Sequence, residues 1–278
     1  MPEWTRNTPW RQGHLLSDEA VTAIGLINTE YPGDTVVIVA THSCDLTQLP
    51  DKEPRIEVVV GRRIQELDGN YTHAKSPRTL HIGFEGDEPL LAEFVITEKH
   101  FIPKKLLEDF EPAIISRLSP AGLETFQLWL ASRYRRSAFP DEFERRLTET
   151  KLSDKIAKAV RQHGEMITAV FFDVDDGQEI ARTGPNDIYV LDIYLLHVTV
   201  PDFNAAEIAA KRAKKAIEHA FKAKLHNTQT GNWQNIELRY VEVISENAMT
   251  YLQSKLLKKW RLDYINLGAE PQQPVLAE

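Results

Sequence analysis

The C-terminal half of the chain carries the pattern that most limits the fold. Two runs rich in apolar and β-branched residues, "MITAVFFDV" and "DIYVLDIYLLHVTV", precede the segment "NAAEIAAKRAKKAIEHAFKAKL", and the run "IELRYVEVI" follows it. Such runs predict strands, whereas apolar residues three or four apart predict a helix. The order strand, strand, helix, strand favours one sheet with helices on one face. A last helix is predicted in "MTYLQSKLLKKWRLDYI".

The N-terminal segment predicts a small antiparallel sheet of its own. The run "TVVIVA" is short, apolar and β-branched, which is typical of a buried strand. Three more strands are predicted in "RIEVVVG", "RTLHIGF" and "LLAEFVIT". Because Gly, Pro and Asp turns separate these short runs, we expect a β-rich sheet or a partly open barrel.

The segment between these two sheets has helical periodicity. Ser119 and Pro120 are suited to the start of a helix, and Ser153 and Gly164 are suited to the cap and the end of a later one. We therefore predict an α+β protein with four segments. They are a β-rich domain (1–110), a helical connector (111–164), a C-terminal ββαβα domain (165–268) and a flexible tail (269–278).

Composition excludes several classes of protein. The net charge of −8 argues against a non-specific nucleic-acid binder, although the predicted connector is locally basic. The chain has one cysteine, no apolar run long enough for a membrane span, and no apolar core of a signal peptide at its N-terminus. We expect a cytoplasmic protein that does not bind membranes.

The first candidate site is the sequence "THSCD", which follows the predicted buried strand. His42, Cys44 and Asp45 are candidate catalytic residues if the thiol is exposed and activated. His42 and Cys44 supply only two ligands of a zinc site, so we predict no metal and no cofactor. The interpretation we favour is a structural corner in which Cys44 is buried, His42 donates to a backbone carbonyl, and Asp45 caps the loop.

Three other polar segments are rich in side chains that can bind ligands. "WLASRYRRSAFPDEFERR" interleaves aromatic residues with arginines, which is typical of a nucleic-acid clamp. Its candidate phosphate-binding residues are Arg133, Arg135, Arg136, Arg145 and Arg146. The carboxylates of "DVDDGQE" are better explained as turn residues than as a cation site. The basic residues of "KRAKKAIEHAFKAK" predict a solvated helix face.

Four stretches, "ATHSCDL", "EPRIEVVVG", "RYRRSAFPDEFERRL" and "KKWRLDYINL", resemble those of uncharacterised bacterial accessory proteins of mobile elements or phage-defence loci. The N-terminal strand-loop-strand also resembles the small barrels of RNase toxins, at the level of the fold. The resemblance implies a component of a bacterial defence or mobile-element system. The function we expect is a recognition or adaptor component that binds a protein partner, with nucleic acid as a second ligand. The alternative is a hydrolase, nuclease-like or Cys-dependent, centred on His42, Cys44 and Asp45.

Overall fold

The structure, a computed structural model, describes residues 4–113, 115–132, 134, 139–178, 180 and 182–260. The predicted α+β class is confirmed. The chain divides into two compact units, residues 1–135 and residues 136–278. The predicted flexible tail at 269–278 lies outside the described residues.

The first unit contains the predicted antiparallel sheet, which has seven strands where the sequence predicted four. Its strands are β1 (Leu15–Leu16), β2 (Thr35–Val39), β3 (Arg55–Ile64), β4 (Thr79–Gly86), β5 (Leu90–Pro103), β6 (Pro112–Ala113) and β7 (Ser116–Arg117). They lie in the order β6-β1-β2-β3-β5-β4-β7. The helices of this unit are α1 (Asp18–Ile24), α2 (Ser43–Leu46) and α3 (Pro120–Ser132).

Strand β2 is apolar from Val36 to Val39 because both of its faces are buried there. Val37 and Val39 belong to one hydrophobic cluster, while Val36 and Ile38 belong to another on the opposite face. Side chains of a strand alternate between faces, so a strand between two cores has no position suited to a polar residue. Trp129 of α3 is buried in the second cluster and helps to cover that face.

The second unit contains a four-stranded mixed sheet. Its elements are α4 (Asp141–Glu149), α5 (Leu152–Arg161), β8 (Ile167–Val174), β9 (Tyr189–His197), α6 (Phe203–Leu225), β10 (Ile236–Ser245), α7 (Tyr251–Leu256) and β11 (Lys258–Trp260). The strand order is β10-β9-β8-β11. Strands β8 and β9 are antiparallel, whereas β9 and β10 are parallel and are joined by α6.

One hydrophobic core unites the helices and one face of this second sheet. Alternate residues of β9, such as Leu191 and Ile193, pack in the same cluster as residues of α4, α5 and α6. The predicted small-residue face of α6 is buried there: Ala206, Ala210, Ala213, Ile217 and Phe221. Asp202 caps this helix by accepting a hydrogen bond from the amide of Ala205 at 2.9 Å. Among the helices of the described residues, none combines the length and the apolar character that crossing a bilayer would need.

The predicted last helix is wrong at Lys258–Trp260, and residues 261–265 of it lie outside the described residues. Helix α7 ends at Leu256, and Lys258–Trp260 form a strand that pairs with β8. The cause is tertiary, because the Trp260 ring stacks on Phe172 with ring centroids 5.2 Å apart and enters the core. Burial of a large aromatic ring outweighs a local preference for helix.

The residues of the predicted connector are shared between the two units. Strands β6 and β7 pair within the first sheet, and α3 packs in the core of that unit. Helices α4 and α5 pack in the core of the second unit, to which Phe143, Leu147 and Ile156 contribute. The boundaries predicted at 110 and 164 thus differ from those of the two compact units.

Fragments of the chain test which boundary governs folding. We expect residues 136–278 to unfold cooperatively, because this fragment keeps the whole second core. Residues 165–278 should show a broad, non-cooperative melt, because that fragment lacks α4 and α5. Circular dichroism during heating measures both. A cooperative melt of the shorter fragment would support the predicted boundary instead.

Candidate functional site

The "THSCD" corner is held in place by a buried lysine. Helix α2 begins directly after His42, and the Nζ atom of Lys104 donates to the backbone oxygens of Asp45 at 2.8 Å and Gln48 at 2.7 Å. Lys104 is fully buried, and its ammonium group lies 5.2 Å from the ring centre of Trp4. Burial lowers the pKa of Lys104. Lys104 lies directly after β5. Its ammonium group therefore links the loop at Asp45 and Gln48 to that segment by donating to their backbone oxygens.

Two details of the favoured interpretation are wrong. Cys44 is exposed rather than buried. The Nδ1 atom of His42 accepts a hydrogen bond from the amide of Cys44 at 3.3 Å, so this nitrogen is an acceptor and not a donor to a carbonyl. The apolar residues of β2 end before the corner, which leaves the thiol at the surface of the first turn of α2. The proposed catalytic role of His42, Cys44 and Asp45 stays a prediction.

The arginine-rich segment is only partly described. Arg133, Arg135 and Arg136 lie outside the described residues. Arg145 is exposed and pairs with two carboxylates of its own helix, Glu142 at 2.8 Å and Glu149 at 2.5 Å. Ion pairs of this kind hold an arginine on the helix surface without excluding a phosphate.

Arg146, in contrast, is an internal residue. Its side chain is 2% exposed, and it donates to Glu142 and to the backbone oxygens of Gly184, Asp187 and Asn235 at 2.7–2.9 Å. A guanidinium group that satisfies buried carbonyls has no face left for a phosphate. We therefore assign Arg146 to the packing of the loop before β9 and the loop before β10.

The "DVDDGQE" segment is a turn, as predicted, and it also contributes to a carboxylate cluster. Asp173 and Asp192 are cross-strand partners of β8 and β9, and Asp176 follows in the turn. Carboxylate oxygens of these three residues lie within 4.8 Å of one another. Asp175 instead accepts from Arg182 at 3.1 Å, while Glu179 lies outside the described residues.

Arg239 of β10 neutralises part of this cluster. It donates to Asp192, which is 1% exposed, and to Asp176 at 2.7 Å. Asp173 is left with a buried Oδ1 atom that has no partner among the described residues. Burial raises the pKa of Asp173. The three carboxylates are the described residues whose geometry could hold a cation, and Arg239 supplies positive charge to two of them.

A concave surface of the second unit lies beside β10. Within the described sheet, β10 has β9 as its one neighbour and is an edge strand. A groove of about 730 Å³ runs between this strand and α6. It is lined by residues of two elements: Lys211, Lys214, Lys215 and Glu218 from α6, and Tyr240, Val241, Glu242 and Val243 from β10.

The two faces of β10 present different chemistry to this groove. Val241 is buried in the core under α6, and Val243 packs against the same core. Tyr240 and Glu242 alternate with them and are exposed on the other face of the sheet. The hydroxyl of Tyr240 bonds to that of Tyr194 at 2.7 Å, and this bond, more than burial, raises the pKa of Tyr240.

The sequence predicted none of these groove residues as a site, although one signal was present. Lys211 and Lys214 each follow a buried alanine of α6, Ala210 and Ala213. Lysines that border the buried face of a helix lie nearest to the sheet, unlike lysines on its outer face. The predicted solvated face therefore holds for Lys222 and Lys224, whereas Lys214 is half-buried.

Cys44 gives the most direct test of the "THSCD" corner. Because the side chain is exposed, Cys44→Ser should change the free energy of unfolding by less than about 0.5 kcal/mol. Iodoacetamide should label the folded protein without denaturant. Labelling that requires denaturant, or a large loss of stability, would show that the thiol is buried. Urea titration and mass spectrometry measure the two quantities.

Arg146 and its neighbour form a matched pair for stability. Arg146→Met should cost about 3 kcal/mol, because Glu142 and three backbone oxygens each lose a hydrogen bond from a buried, charged donor. Arg145→Ala, on the exposed side of the same helix, should leave the unfolding temperature nearly unchanged. Equal effects of the two substitutions would contradict the internal role of Arg146.

Asp173→Asn tests the strain in the carboxylate cluster. An acid whose pKa is raised in the folded protein opposes folding once it is ionised, so the penalty grows as pH rises above its ordinary value of 3.8. At neutral pH the variant should be more stable, by on the order of 1 kcal/mol, because the amide can also donate to a neighbouring carboxylate. The gain should disappear near about pH 3. Destabilisation at neutral pH would show that the fold requires the charged group.

Comparisons of the chain with protein-family models, with curated proteins and with solved structures gave no match. The resemblance to bacterial accessory proteins stays a prediction. The structural features that bear on function are the "THSCD" corner, the carboxylate cluster and the groove beside β10.

Proposed function

We propose that the protein is a recognition component that binds an extended segment of a protein partner alongside β10. The observation that carries this proposal is the groove of about 730 Å³ between an edge strand and α6. An edge strand presents backbone donors and acceptors that a further strand can use. The groove lies directly beside that edge. Backbone hydrogen bonds to the edge would supply affinity, and side-chain contacts in the groove would supply selectivity.

The dimensions of β10 suit strand addition. The groove is lined by four consecutive residues of the strand, Tyr240–Val243, and the whole strand has ten residues. At about 3.3 Å per residue, four residues span about 13 Å, which matches a short extended peptide. The volume also lies in the range of about 300–1,000 Å³ typical of ligand sites.

A nucleic-acid ligand has less support than a protein partner. Of the five arginines predicted to contact phosphates, Arg146 is buried and Arg145 is already paired with two carboxylates. The groove beside β10 offers backbone groups for a strand, and Glu218 and Glu242 reduce its positive charge. We propose a cytoplasmic location on the composition of the sequence, and a role in a bacterial defence or mobile-element system on its resemblance alone.

One observation favours the alternative of a Cys-dependent hydrolase. Cys44 is exposed and lies two residues after His42, whose Nδ1 accepts from the Cys44 amide. A catalytic thiol needs exposure and a base, and His42 is the nearest candidate base in sequence. If Cys44 acts as a nucleophile, Cys44→Ser should abolish a hydrolytic activity without changing stability, while peptide binding at β10 should persist.

Peptide display tests the proposed function without a known partner. A library of random peptides is selected against the full chain, and hydrogen exchange with and without the selected peptides reports the protected amides. We expect protection at Tyr240–Val243, and weaker binding after Tyr240→Ala than after Tyr251→Ala, an exposed tyrosine on α7. Failure to select any peptide, or protection of a different surface, would overturn the proposal.

A further inference from the structure

We infer that the segment bound beside β10 is acidic, with carboxylates at every second position on the side that faces α6. This inference rests on the proposed function and names the chemistry of the partner. Lys211, Lys214 and Lys215 line the α6 side of the groove, and Glu218 is the one carboxylate that lines it from the same helix. The excess of positive charge is local, because the chain as a whole has a net charge of −8.

The lysines are not fully neutralised by their own helix. Lys211 pairs with Glu207 at 2.8 Å, and the contact between Lys214 and Glu218 is longer, at 3.7 Å. For Lys215 no ion pair is found with the residues that the structure describes. Exposed pairs at i and i+4 are weak, so an incoming carboxylate can compete for these ammonium groups.

The floor of the groove explains why an extended peptide fits better than a single anion. Val241 and Val243 line the groove together with the lysines, and the aliphatic parts of the lysine side chains extend this apolar surface. Side chains of an added strand alternate between the two faces of the sheet. Those on the α6 face meet the lysines, whereas those on the other face lie beside Tyr240, where apolar residues suit the exposed ring.

The partner class follows from this combination. Strand edges recognise polypeptide backbone, and alternate side chains supply selectivity. Glu242 lines the strand side of the groove and the three lysines line the α6 side, so the two sides differ in charge and fix which residues of the partner are acidic. An acidic extended segment of a protein satisfies both features, whereas a nucleic acid satisfies only the charge.

Defined peptides and two lysine pairs test the inference on the full chain. The probe is an acetylated and amidated peptide of about eight residues in which glutamate alternates with valine. Matched peptides replace every glutamate with glutamine or with lysine. The double variant Lys211→Ala/Lys215→Ala removes two exposed groove lysines, and Lys222→Ala/Lys224→Ala removes two exposed lysines of the same helix outside the groove. Fluorescence anisotropy gives affinity, and hydrogen exchange at Tyr240–Val243 gives the location.

We expect the glutamate peptide to bind with protection of β10 and to weaken as salt is added. Affinity should fall about tenfold for the glutamine peptide and for the groove double variant, and should stay near the parent value for the control variant. Equal binding of the glutamine peptide at β10 would overturn the inference and leave the proposed function standing. If no peptide protects β10, the inference fails, and the display selection decides the proposed function separately.

Three further outcomes would also overturn the inference. Tighter binding of the lysine peptide would show that Glu218 and Glu242 dominate the groove. Displacement of the glutamate peptide by single-stranded DNA of equal charge, at equal affinity, would indicate a general polyanion patch. Concentration-dependent dimers in sedimentation, with β10 protected in the dimer, would identify a second copy of the chain as the occupant.

Discussion

The parallel pairing of β10 with β9 is the constraint on which the second unit depends. Parallel neighbours cannot be joined by a tight turn, so the chain crosses one face of the sheet as α6 before it returns. The buried alanine face of α6 lets the helix lie close to the strands. This crossover places β10 at the edge of the described sheet and brings the lysines of α6 beside it. The groove is thus a consequence of the connection.

Buried cations organise loops in both units. Lys104 donates to carbonyl oxygens of the "THSCD" corner, and Arg146 donates to those of two loops in the second unit. In each case a buried charged side chain donates to several backbone oxygens of a loop, and such charge-assisted hydrogen bonds are stronger than neutral ones. The groove lysines of α6, such as Lys211 and Lys215, are exposed and do not hold a loop in this way. Burial therefore separates structural cations from those available to a ligand.

The sequence predicted the elements that have strong local patterns. The doubly buried β2, the buried face of α6 and the fold class follow from periodicity and residue type. The sequence did not predict strand β11, because Trp260 is buried by stacking on Phe172, which is distant in the sequence. The burial of Arg146 and the exposure of Cys44 were missed for the same reason, because neighbours in sequence do not reveal neighbours in space. The groove was missed because α6 and β10 meet only in the folded chain.

The most direct test of the recognition surface is the exchange of individual amide hydrogens in the free protein. In a parallel edge strand, alternate residues direct their amides toward the neighbouring strand and toward solvent. If the edge of β10 is open, the amides of Tyr240–Val243 should alternate between slow and fast exchange. Uniformly slow exchange along these residues would show that the edge is already covered, and would contradict a groove that is free to bind a partner.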